Sequence, residues 1–327
     1  MIISRTPFRI SFAGGGTDLP AFHEQQPGAV LSTAIDRYMH ISVMPRFDDT
    51  FRISYSRTEI REKVEDIEHP IVRAALSRFP KTGGLEIVSM AHLPAESGMG
   101  SSSSFTVGLL HALHAYSNHA VTAETLAAEA CEIEIKELGE PIGKQDQYIA
   151  ACGGMQFIQF FPDGRVQVDP VVSSPATRRE LNNRLLLFHA GKTRRAGEIL
   201  KRQSAATPNR MDVLSRMRDM AFSLRQVLAS GRELNDFGAI LHEGWLAKRS
   251  LDSQISSEWI DDYYDRAMQA GARGGKLLGA GGGGFLLFYC EPHLQDRLRA
   301  ALQPLQQLPF QFCPEGSKII HIGTDRW

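Results

Sequence analysis

The sequence predicts a two-domain protein mixing β-strands and α-helices, and three observations carry that prediction. The chain has 327 residues, enough to bury a sizeable core and more than one compact unit ordinarily holds. Its first third is rich in β-branched and aromatic runs, whereas three segments with helical spacing follow one another after residue 210. Between them Pro170, Ser173, Ser174 and Pro175 cluster, which places the change of domain near 170 and divides the chain into residues 1–170 and 171–327.

Composition narrows the class of partner. Lys and Arg number 36 against 37 Asp and Glu, a formal balance of −1, so wholesale binding to nucleic acid or to an anionic membrane has no electrostatic support. No run reaches the ~18 apolar residues that a membrane-crossing helix needs, and the start, Met1-Ile-Ile-Ser-Arg5, lacks the apolar core of a secretory signal. Cys131, Cys152, Cys290 and Cys313 are far apart, with no C-x-x-C pair, and read as reduced core residues. The expected location is therefore the cytoplasm.

Taken in order, residues 2–12 alternate well enough for a strand, with Pro7 at an edge or a bend. Ala13-Gly-Gly-Gly-Thr-Asp18 breaks it. Three adjacent glycines either bring backbone close to something or make a plain turn, and Asp18 either fixes sugar hydroxyls or caps that turn. Residues 29–35, 40–44 and 51–55 read as further strands, and 71–78 as a helix. Residues 85–91 form a strand-like run that feeds the most informative stretch of the chain, Leu-Pro-Ala-Glu-Ser-Gly-Met-Gly-Ser-Ser-Ser-Ser-Phe at 93–105. Gly98 and Gly100 let the backbone aim its N–H groups at one point, and the four serines from Ser101 open a helix marked by Phe105, Leu109, Ala112, Leu113 and Tyr116. Unpaired first-turn N–H groups and the helix dipole favour an anion there. The serine hydroxyls add donors for phosphate oxygens or a neutral ligand for a hard cation such as Mg²⁺. The stretch is neither a Walker A loop nor G-x-G-x-x-G, and a Gly-Ser turn that merely caps a helix has the same local features.

Residues 122–138 read as a charge-rich helix carrying Glu134 and Glu137. A Gly/Pro loop over 139–148 then holds Lys144 and Asp146, suited either to a proton acceptor or to a surface ion pair. Residues 155–161 and 166–168 flank Pro162-Asp-Gly164 as a hairpin. The strand 185–188 ends in a basic turn, where Lys192, Arg194 and Arg195 could hold an anion or simply be solvated. Further helices are expected over 213–228, ended by Gly231, then over 235–249 and 257–269. Seven glycines among residues 274–284 are too dense for an ordinary turn, so that backbone must pass close to another segment or a ligand. Strands at 285–289 and 319–323 complete the chain.

Three glycine-rich stretches in this order, 7–20, 93–105 and 276–288, resemble the three motifs of the GHMP small-molecule kinases, and the resemblance covers essentially the whole chain. Within that superfamily the pairing of Ala-Gly-Gly-Gly-Thr-Asp with Gly-Ala-Gly-Gly-Gly-Gly-Phe is similar to the heptose 7-phosphate kinase branch, with fucokinases close behind. The resemblance implies an α+β fold, with left-handed βαβ crossings in the N-terminal domain, a ferredoxin-like C-terminal domain and an active site between them. It implies ATP and Mg²⁺ as cofactors and a small sugar phosphate as substrate.

Residue by residue, the resemblance assigns the ATP phosphates to Gly98, Gly100, Ser101 and Ser102, with Glu96, Ser97, Met99 and Ser103 completing the loop. It assigns Mg²⁺ to Ser102 and Glu134, with Glu137 as the alternative carboxylate. Asp146 matches the residue that takes the proton from the attacking sugar hydroxyl, Arg9 the cation beside it, and Lys144 is placed as an assistant. Gly14, Gly15, Gly16, Thr17 and Asp18 match the sugar-binding loop, and Gly281 and Gly282 the glycine run packed beside the phosphate loop. Gly15-Gly16 stands where galactokinases have Glu-His, which argues against galactose. A phosphate already on the substrate needs a second cationic pocket, for which Lys192, Arg194 and Arg195 are the candidates. A non-catalytic sugar sensor and a free-sugar 1-kinase are the rival readings.

Overall fold

The computed structural model describes residues 1–79, 83–95, 97–191, 196–230 and 234–323. The first strand, β1 (Ile2–Ala13), is the spine of the larger sheet and is almost wholly buried. It pairs antiparallel with β2 (Gly28–Pro45), whose opposite edge takes two partners. The second half of β2 pairs with β5 (Leu85–Ala91) and its first half with β6 (Met155–Phe160), so residues 29–35 and 40–44 belong to one long strand rather than two. The polar Asp36-Arg37-Tyr38 step that separates them in sequence falls where β1 slips register beside Pro7, so the ladder bends there without ending.

Strands β3 (Phe51–Ser54) and β4 (Thr58–Arg61) extend the edge beyond β5, β3 and β5 being a parallel pair. The hairpin of β6 and β7 (Val166–Pro170) forms around the Pro-Asp-Gly turn. In the second half β8 (Leu185–His189), β9 (Ala272–Leu277), β10 (Phe285–Cys290) and β11 (Gln306–Gln307) make a separate antiparallel sheet in the order β11-β8-β10-β9. The last strand, β12 (Lys318–Ile322), returns to pair with β1, so the end of the chain contributes to the sheet of the N-terminal half.

Three helices matter for the site. Ser101–Tyr116 packs on β1 so closely that Gly108 has no room for a side chain: a Cβ there would lie 2.8 Å from Thr6 Oγ1. Asn235–Arg249 lies equally close on β9, where a Cβ on Gly274 would lie 2.0 Å from the Gly238 carbonyl oxygen. The third, Gln145–Cys152, replaces the loop expected around Asp146, which therefore occupies a first helical turn.

The helix expected over 122–138 is also interrupted. It is α-helical over Ala123–Cys131, capped by the Thr122 side chain, and widens to a π-turn over Glu132–Glu137. An added residue in the turn rotates every later side chain about the helix axis. Glu134 lies on the buried face of Ala127, Ala130 and Cys131 with no exposed surface, while Glu132 and Glu137 face outward and pair with Arg78. Gly231, expected to end the helix that spans Met211–Ser230, lies outside the described residues. No helix among those residues is long and apolar enough to cross a membrane.

Candidate active site

A cleft of about 1180 Å³ runs between the two halves and is lined from both. Two glycine loops meet in it. Gly98 and Gly100 both have φ near +75°, a conformation that favours glycine, and Gly100 precedes the first turn of the serine helix. Gly279 packs directly on Gly98, for a Cβ at 279 would lie 2.5 Å from the Gly98 Cα; one at Gly284 would lie 2.5 Å from the Ser97 carbonyl oxygen. This backbone-on-backbone contact accounts for Gly98, Gly279 and Gly284.

Arg9 and Asp146 meet beside this contact. Arg9 Nε donates to Asp146 Oδ1 and Nη2 to Oδ2, each at 2.7 Å, while Nη1 donates to the Gly98 carbonyl at 2.6 Å. A two-point arginine–carboxylate pair fixes both planes and leaves each carboxylate oxygen a further lone pair. Asp146 lies against the Gly98–Gly100 loop, its Oδ2 3.2 Å from where a Cβ on Gly100 would be.

Asp18 is buried beside this pair, accepting from Gly16 N at 2.9 Å and Gln145 N at 3.4 Å. Burial pushes its carboxyl above the ordinary value, and the charge of Asp146 acts in the same direction. Gly143 must be glycine for Asp18 to sit there, since a Cβ would lie 2.0 Å from Asp18 Oδ2.

Glu134 accepts from Ser102 Oγ at 2.6 Å and from Gln147 Nε2 at 2.7 Å. Burial raises its carboxyl by more than these two donors restore. A buried carboxylate and a hydroxyl within contact of each other, both hard oxygen donors and with no cation bonded to them among the described residues, fit a small divalent cation. Ser102 and Glu134 would hold Mg²⁺. Glu137, committed to Arg78 on the surface, is not available to the cleft.

Several expected contacts fall elsewhere. Lys144 does not reach Asp146: successive side chains diverge around a helix start, and its Nζ donates instead to the Gly164 carbonyl in the β6–β7 turn at 3.4 Å. The Thr17 hydroxyl is buried and spent on the Gly14 and Ala29 carbonyls, so Thr17 shapes its own loop instead of lining the cleft. Gly14 is likewise backbone packing, since a Cβ there would lie 1.9 Å from the Ala29 carbonyl oxygen. Met99 and Ser97 are buried, the Met99 carbonyl accepting from Arg9 N, and the Gly282 N–H is held by the Ile255 carbonyl. Gly15, Gly16, Asp18, Ser101, Ser102, Ser103 and Gly281 do line the cleft. Glu96, Lys192, Arg194 and Arg195 lie outside the described residues.

Two residues that motif reasoning did not assign also line it, Lys248 and Lys276. Both are buried, and burial lowers both ammonium groups, Lys248 to about 8. Each donates to a backbone carbonyl, Lys248 to Gly279 and Lys276 to Phe12, the latter at 3.0 Å. A signal existed: Lys248 shares a helical face with Leu241 and Trp245, an apolar stripe on which lysine is out of place.

The GHMP kinases N terminal domain matches residues 67–154, and the GHMP kinases C terminal domain matches residues 224–304. A protein of Campylobacter jejuni named D-glycero-alpha-D-manno-heptose 7-phosphate kinase is 30% identical over 336 aligned residues, spanning 97% of this chain and 98% of its own. The chain belongs to the GHMP kinases. As such it is a phosphotransferase acting on a small molecule, and its two-domain mixed fold is theirs. A solved structure from Bacteroides thetaiotaomicron, titled a D-glycero-D-manno-heptose 1-phosphate kinase, superposes on this kinase with a TM-score of 0.83 at 24% identity, covering 99% of this chain and all of the other. The kinase is also 30% identical over 308 residues to an Arabidopsis thaliana bifunctional fucokinase/GDP-fucose pyrophosphorylase, of which it matches only 29%.

Proposed function

We propose that this kinase transfers the terminal phosphate of ATP to the anomeric C1 hydroxyl of D-glycero-D-manno-heptose 7-phosphate. The product would be the 1,7-bisphosphate, an intermediate suited to nucleotide activation of the heptose for surface polysaccharide. The observation that carries this reading is the Arg9–Asp146 pair set against the 97–103 loop, in a chain matched over nearly its full length to a heptose 7-phosphate kinase. Asp146 orients the acceptor hydroxyl and takes its proton through a lone pair that Arg9 leaves free; Asp18 positions a neighbouring hydroxyl. The N–H groups of the 98–103 turn, with Arg9, stabilise charge in transfer. Mg²⁺ held by Ser102 and Glu134 would neutralise phosphate charge when bound. His69, stacked on Phe105 with ring centroids 4.9 Å apart, lines the cleft with it and suits a flat heterocyclic base.

The phosphate already on the sugar is assigned to Lys192, Arg194 and Arg195, which precede Gly197 and Lys201 of the cleft lining. The match to the plant fucokinase favours, as a second reading, a free-sugar 1-kinase. A panel of sugars and sugar phosphates offered with MgATP, with the position of the new phosphate read by ³¹P and ¹³C NMR, decides between them. An anomeric phosphate on the heptose 7-phosphate is expected. Preference for unphosphorylated fucose, or transfer to another hydroxyl, would overturn the proposal.

A further inference from the structure

Besides Arg9 the cleft holds two further buried cations, Lys248 and Lys276, along with the buried acid Asp18. Arg9 is matched by Asp146. Lys248 and Lys276, each 7% exposed, have only carbonyl partners, and neither meets a carboxylate within salt-bridge distance among the described residues. Asp18 acts on Lys248 only from beyond ion-pair distance; a buried ammonium held only by a carbonyl is costly, so two that act on each other mark a place where an anion completes the structure. Their supports are rigid: Lys248 comes from the helix clamped on β9 by Gly238 and Gly274, and Lys276 from β9 itself.

We infer that Lys248 and Lys276 form, with Arg9, an oxyanion seat for the terminal phosphate of the bound nucleotide, contributed to the phosphate loop by the C-terminal half of the chain. The location decides which phosphate. Lys248 is bonded to the carbonyl of Gly279, the residue packed on Gly98, and Arg9 is bonded to the carbonyl of Gly98 itself. Lys248 and Arg9 thus converge on the seam between the two glycine loops, beside Asp146, and Lys276, bonded to the Phe12 carbonyl, lies within electrostatic reach of both. A phosphate at the far end of a sugar whose C1 hydroxyl faces Asp146 lies elsewhere. Burial lowers both ammonium groups in the free protein, as expected of cations waiting for a counter-charge.

The inference rests on the kinase reading above, and a binding experiment separates the two. Mg²⁺ complexes of ADP and of the non-hydrolysable β,γ-imido analogue of ATP are titrated calorimetrically into the full chain and into Lys248→Met, Lys276→Met and Lys248→Arg. The preference for the analogue over ADP should fall about tenfold or more in each Met variant, the scale of a lost charge-assisted hydrogen bond, with partial recovery in Lys248→Arg and ADP affinity nearly unchanged. Unliganded Met variants should melt no lower than wild type, because they remove an uncompensated buried charge; a lysine with only a packing role would lower the melting temperature. If Lys276→Met does not fold, the two Lys248 variants carry the test. An unchanged preference, or equal losses for ADP and the analogue, overturns the inference while leaving the kinase reading standing. A rise confined to the KM of the sugar phosphate would move the seat to the sugar's own phosphate and also overturns it. Failure of wild type to bind either nucleotide would sink the kinase reading, and this one with it.

Discussion

Arg9 and Asp146 are 137 positions apart in the chain and meet through two parallel hydrogen bonds of 2.7 Å. One stands on the first strand and the other in the first turn of a helix, so the pair ties the central sheet to the loop system on which the chemistry depends.

Asp146→Asn is isosteric, keeps one of the two acceptors that face Arg9 and removes the carboxylate proposed to take the proton. Its kcat should fall about 10²–10⁴-fold, with MgATP affinity within a few-fold of wild type. Steady-state kinetics beside calorimetric nucleotide binding checks this, and parallel loss of both would make the pair structural.

Glu134 and Glu137 give a paired experiment. Glu134→Gln should raise the Mg²⁺ concentration for half-maximal rate by roughly 10–100-fold, the usual scale for a weakened metal site. Glu137→Gln, on the outward side of the π-turn, should leave it unchanged. The reverse order would put the inward carboxylate out of the metal site.

Gly143→Ala introduces a methyl group 2.0 Å from the present position of Asp18 Oδ2, at a residue whose backbone is not in the left-handed region. Asp18 must move. The KM for the sugar substrate should rise while that for ATP holds, with a stability loss on the order of 1–3 kcal/mol. An unchanged sugar KM would remove Asp18 from the substrate site.

Replacing Arg194 and Arg195 together by Ala should raise KM steeply for the phosphorylated sugar and hardly at all for ATP. Equal effects on both would refute their assignment to the substrate's own phosphate.

Lys248 gives the protein a pH signature. Burial lowers its ammonium to about 8 from the ordinary 10.5, so between those values the unfolded chain holds a proton that the native state has released. Stability contributed at this position therefore rises with pH across that window, and the penalty is fully present below it. Compared by urea unfolding, the advantage of Lys248→Met over wild type should shrink by on the order of 3 kcal/mol between about pH 7 and about pH 10. A constant difference would show that the ammonium is not destabilised by burial.

What the sequence determined by itself is local. The serine helix after Gly100, the Pro-Asp-Gly hairpin and the amphipathic helix over 213–228 arise from backbone freedom and from periods of 2 and 3.6 residues, which neighbours in the chain set. The glycine motifs, taken in order, also pointed to the family. Tertiary structure decided what depends on partners far away. Residues 29–44 became one strand because two other strands share its edge, and the tail strand crossed to the N-terminal sheet. A π-turn separates buried Glu134 from Glu137, which pairs with Arg78 at the surface, and no spacing rule announces that turn. Lys144 was drawn to a turn carbonyl while Lys248 and Lys276 were carried into the cleft by a helix and strand packed glycine to glycine. A charged side chain gains its role from the groups it meets, and those are fixed only when distant segments close on one another.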